Sequence, residues 1–179
     1  IIHRIFWALM ILGGITACGN TSTDWFRDTD LDTRNDPPPY TRYEPTLLEN
    51  YMQQFAQDAA DYGLDLVDNI SRLRVVKYGV VSTEENPRYV GMCYTWTRHD
   101  GSLAYGDIVV QEPARYDLQF KALMYHELAH CVMLLDHDRQ EDRTIMSPVI
   151  HPLKYYEKCW DELVEQLFTS RTIQCEIDD

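Results

Sequence analysis

Apolar residues fall at helical spacing in separate stretches of this chain. Leu48, Tyr51, Met52, Phe55, Ala59 and Tyr62 line one face, which predicts a helix with Pro45 in its first turn and Gly63 as its stop. Phe120, Leu123, Met124, Leu128, Cys131, Val132 and Leu135 form a second stripe, with no Pro or Gly inside it. A last helix is expected over 153–168. Between the first two helices the pattern shortens. Leu73-Arg74-Val75-Val76-Lys77-Tyr78 and the runs 89–97 and 105–111 are rich in Val, Ile, Tyr and Thr. Asn86-Pro87 and His99-Asp100-Gly101 punctuate them, so three strands are expected. The order helix, strands, helix, helix predicts an α+β domain.

The first 44 residues carry no such pattern. Residues 1–17 open with His3-Arg4, continue in an apolar run and end in small residues, as a secretory signal does, and the run is too short to span a bilayer. Ile15-Thr16-Ala17-Cys18 resembles the bacterial lipobox, which implies cleavage before Cys18 and lipid on its sulfur. Gly19, rather than Asp, favours the outer membrane by the same resemblance. Residues 18–44 read as a lipid-anchored linker, polar and Asp-rich with the run Pro37-Pro38-Pro39 and no periodic apolar face, Trp25 and Phe26 standing out as an aromatic pair. The folded domain is then 45–179, and the protein an exported lipoprotein of the cell envelope.

Composition narrows the function. Hydrophobic residues make up 45% of the 179, enough for one domain with a real core. The net charge of −13 argues against a nucleic-acid partner, since phosphate binding needs a basic patch. A monomer is expected.

The chemistry lies in the second stripe, at His126-Glu127-Leu128-Ala129-His130. Positions i and i+4 share a helix face, so the two imidazoles can hold one zinc ion. Such an ion lowers the pKa of its water to about 7, and Glu127 is placed to take the proton as general base. A catalytic zinc takes three protein ligands, and Asp136 and His137 both follow closely.

HExxH, a histidine about two turns on, and then Ile145-Met146-Ser147-Pro148 resemble the metzincin clan of zinc peptidases, whose motif reads HExxHxxGxxH before a methionine-containing turn. The resemblance implies a small mixed sheet with an N-terminal, an active-site and a C-terminal helix. It makes His126 and His130 zinc ligands, Glu127 the base and Met146 the floor of the site, in the matrix metalloproteinase style. It also implies that the strand before the active-site helix, 106–112, lies along the cleft and binds extended peptide. The chain departs from the motif twice: Met133 stands at the glycine, and Asp136 at the third histidine, with His137 one residue later. Either His137 or Asp136 is the third ligand. Imidazole suits zinc better, which favours His137.

With Cys18 lipidated, Cys93, Cys131, Cys159 and Cys175 remain, an even number that suggests two disulfides among three possible pairings. Cys93 with Cys131 would join sheet to active-site helix, and Cys159 with Cys175 would tie the last helix to the tail; this pairing is favoured. His99 is expected at the surface and His151 in a loop after the methionine. The expected function is a zinc metalloendopeptidase acting on peptide or protein substrate. The alternatives are a non-catalytic metal-binding or interaction lipoprotein on the same fold, a zinc amidase acting on cell-wall peptides, and ligation by a distant Glu157 or Glu162.

Overall fold

The computed structural model describes residues 42–43, 46–79, 90–113, 115, 117–138, 143–169, 171 and 175. The expected signal segment, Cys18, Trp25 and Phe26 lie outside them. Within them the chain is a mixed α+β fold: β1 (Arg42–Tyr43), α1 (Thr46–Asp61), α2 (Val67–Ser71), β2 (Leu73–Tyr78), β3 (Gly91–Thr97), β4 (Leu103–Val110), α3 (Leu118–Val132) and α4 (Leu153–Thr169).

Helix α1 buries Leu48, Met52, Phe55 and Ala59. It stops where expected. Gly63 adopts φ +82°, the Leu64 N–H reaches back to the Ala59 carbonyl (3.0 Å), and the Gly63 N–H to that of Ala60 (2.9 Å). This is a Schellman close, which only a residue at ease with positive φ makes without strain. Tyr62 lies past the helix and is exposed, stacked on Phe168 at 6.0 Å.

The sheet runs β1-β2-β4-β3. β1, β2 and β4 are parallel; β3 is antiparallel to β4. The expectation that the strand before α3 forms the cleft edge is therefore corrected: β4 lies between β2 and β3, and β3 ends the strand order. The reason is that β4 is paired on both edges, by β2 on one and by β3 on the other, the latter through the tight connection at 98–102. The Arg98 N–H bonds the Ser102 carbonyl (2.8 Å) around Gly101 at φ +83°, folding β3 back along the outside of β4. Two elements were not expected: β1 pairs inside the stretch read as linker, and α2 is little more than one turn.

Helix α3 lies across the sheet, and its residues 122–132 are all buried. Asp117 caps its first turn, accepting from the N–H groups of Gln119 (3.0 Å) and Phe120 (3.3 Å). Phe55 and Trp160 meet the Tyr125 ring edge-on at 5.2 Å, so α1 and α4 pack on α3 through aromatic side chains. The disulfides are Cys93–Cys131 and Cys159–Cys175, the favoured pairing, with Cα atoms 5.7 and 5.8 Å apart. Two bonds of this kind point to an oxidising, exported environment. Among the described residues no helix is long and apolar enough to cross a membrane.

Candidate metal centre

The centre is built from the end of α3 and the loop that follows. His126 and His130 are each about 3% exposed, one turn apart on α3. The helix ends at Val132, and Leu134 takes φ +57°. A left-handed leucine costs about 1–2 kcal/mol, so surrounding bonds must hold it. They do: the Met133 N–H (3.1 Å) and the Leu135 N–H (3.2 Å) both reach the Ala129 carbonyl. From α2, Asn69 Nδ2 donates to the Val132 carbonyl (3.0 Å), one of the acceptors a helix end leaves open. The chain thus reverses one residue after Met133 and returns His137 to the face of α3 that carries His126 and His130.

The three rings converge. His126 Nε2 lies 2.9 Å from His130 Nε2 and 3.2 Å from His137 Nε2. Tautomers follow from the other ring nitrogens. Nδ1 of His126 faces the Ile145 carbonyl at 2.6 Å, and Nδ1 of His130 faces the Leu135 carbonyl at 2.5 Å. A carbonyl only accepts, so both Nδ1 atoms carry hydrogen and both Nε2 atoms present lone pairs. Two lone pairs 2.9 Å apart repel. Protonating a ring to relieve this is unfavourable, because burial pushes both histidines down. His126 is driven well below the usual histidine range by burial and by the His130 and His137 rings, against its bond to Ile145. His130 is lowered by burial, against the Leu135 bond and Asp136. A metal cation among the three nitrogens removes the conflict, and His126, His130 and His137 form such a group. Nitrogens bound to one tetrahedral zinc are about 3.3 Å apart, close to the separations seen.

Asp136, the other candidate ligand, is exposed and outside the group. Glu157 and Glu162 are exposed on α4 and also outside it. His99 is exposed. The His151 ring packs against Tyr155 (4.9 Å between ring centroids), and the His151 backbone N–H donates to the Tyr156 hydroxyl (3.1 Å).

Met146 is buried in the turn where it was expected. The turn is fastened to the centre at two points: the Ile145 carbonyl holds His126, and the Met146 carbonyl accepts from the Asp138 N–H (3.0 Å). Tyr155 on α4 donates its hydroxyl to the Arg143 carbonyl (2.7 Å). Glu127 is fully buried, on the side of α3 that faces β3. The sequence reading missed the two carbonyls that set the tautomers, and Asn69. Backbone acceptors leave no mark in sequence, and Asn69 is distant along the chain.

No family profile, no curated protein and no solved structure matches this chain.

Proposed function

We propose that the protein is a zinc-dependent peptidase of metzincin type. The observation that carries this reading is the convergence of three histidine Nε2 atoms, two with their Nδ1 hydrogens bound to backbone carbonyls. Three imidazoles fit zinc and leave a fourth position for water or substrate, as a catalytic site requires. Bound there, zinc would acidify a water and polarise the scissile carbonyl. The chain's own residues do the rest. His126, His130 and His137 would hold the ion, with the Ile145 and Leu135 carbonyls fixing two rings. Glu127 takes the proton of the attacking water and returns it to the leaving amine. Met146 lies in the turn beneath His126.

The turn geometry supports the clan resemblance where the motif departs from it. The left-handed residue is Leu134 instead of position 133, and the third histidine is 137 instead of 136. One inserted residue accounts for both. The proposed route is export, cleavage before Cys18 and display on the envelope through a lipid; the two disulfides accord with its first step.

The test is zinc content and peptide hydrolysis in purified protein. One zinc per chain is expected in wild type and in Asp136→Ala, and none in His137→Ala. Glu127→Ala should keep its zinc while its hydrolysis of a peptide library falls by at least about a thousandfold. Glu127→Ala with undiminished hydrolysis, or a folded wild type that takes up no zinc, overturns the reading. Zinc without hydrolysis of any peptide would leave a metal-binding module.

A further inference from the structure

Leu123, Glu127 and Cys131 follow each other at four-residue steps down one line of α3, and this line faces β3. Opposite them on β3 stand Gly91 and Cys93, two residues apart and so on one face of the strand. Cys93 is bonded to Cys131. Gly91 lies against Glu127 itself. A Cβ placed on Gly91 would collide with Glu127 Oε1 and come within 2.8 Å of both Glu127 Cδ and Leu123 Cδ1. The glycine's φ is not in the left-handed region, so backbone freedom does not explain it. Space does.

Neither backbone can retreat. The strand is fastened along its edge to β4, where Gly91 pairs with Val110 and the Gln111 N–H bonds the Val90 carbonyl at 2.7 Å. The helix is held by the disulfide one turn beyond Glu127. The groups that must yield to a Cβ are side-chain ends, the Glu127 carboxylate first and Leu123 beside it.

On the reading that Glu127 is the general base, we infer that Gly91 is its positioning residue. The missing Cβ is the berth that fixes the carboxylate, and the Cys93–Cys131 bond keeps the berth at constant width. The histidines lie on the neighbouring line of α3, with their Nδ1 partners in the loop after the helix, so the berth acts on the base and not on the metal ligands.

Gly91→Ala is compared with wild type, in the Glu127 protein and in a Glu127→Ala background. In the Glu127 protein, Gly91→Ala should keep one zinc per chain and an unchanged KM, while kcat falls on the order of 100-fold, as expected for an ångström-scale misplacement. Its Tm should drop by about 5 °C from overpacking. In the Glu127→Ala background the same substitution should cost less than half as much Tm, because the carboxylate it displaces is gone. That double variant removes the Glu127 part of the clash and leaves only the flexible end of Leu123 to shift, so it folds even if the single variant does not. An equal Tm drop in both backgrounds, an unchanged kcat, or loss of zinc in Gly91→Ala overturns the inference. A wild type that binds zinc but cleaves nothing overturns the preceding reading instead, and the Tm comparison then decides the berth alone.

Discussion

Tyr156 shows how a buried polar side chain is tied to proton equilibria in this fold. Its hydroxyl accepts from the His151 N–H, and burial pushes its pKa up to about 12. An unfolded tyrosine titrates near 10. Between these values the unfolded chain loses a proton that the folded chain keeps. The contribution of Tyr156 is therefore complete below pH 10 and is lost as pH rises toward 12. One such proton gives a slope of about 1.4 kcal/mol per pH unit. Urea unfolding across pH 9 to 12 should show Tyr156→Phe with a shallower alkaline decline, after a loss of about 1 kcal/mol at neutral pH for the hydrogen bond. Parallel declines would contradict the burial argument. Tyr125 is raised as well, by burial and by its bond to Asp58 (2.6 Å), so some alkaline slope remains in the variant.

At the scale of the element, the end of α3 decides which residue joins the centre. Leu134 is 38% exposed and holds φ +57°. Leu134→Gly should stabilise the protein by about 0.5–1 kcal/mol, since relief of the left-handed strain exceeds the entropy lost on ordering glycine. Leu134→Val, β-branched at positive φ, should destabilise and weaken zinc binding. Chemical denaturation and zinc titration measure both.

This turn also marks where the sequence stops being legible. His126, Glu127 and His130 could be read because their relation is local and set by helical pitch. Gly63 announced the end of α1 because its side chain, or lack of one, is the cause of the turn. Whether Asp136 or His137 faces inward depends on the dihedral of Leu134, a residue with no preference for that conformation; ligand chemistry pointed to His137, and geometry brings it in. Strand order was illegible for a related reason. The patterns of β3 and β4 show that strands exist, and only the non-local pairing of β2 with β4 puts β3 outside. β1 and α2 are too short for any period to appear.

At the scale of the whole molecule, zinc and disulfides should share the work of stability. A metal that binds only the folded chain stabilises it by about 4 kcal/mol when its free concentration is a thousand times Kd, so chelation should lower Tm by about 10 °C at such loading. Scanning calorimetry with and without a chelator reads this, and His137→Ala should show no chelator effect. The Cys93–Cys131 bond closes a span of 38 residues, worth about 4 kcal/mol by loop entropy. Replacing both cysteines with Ala should lower unfolding free energy by about that amount.

That bond also has a bearing on time. Cys131 is the residue next to His130, and its partner stands two residues from Gly91. A chain still in a reducing compartment has the histidines and the glutamate but lacks the bond that fixes their helix against the sheet. Assembly of the centre is thus keyed to place: the last fastening is made only where thiols are oxidised, and a newly made chain passes through the compartment that synthesised it with its histidine cluster not yet locked to the sheet.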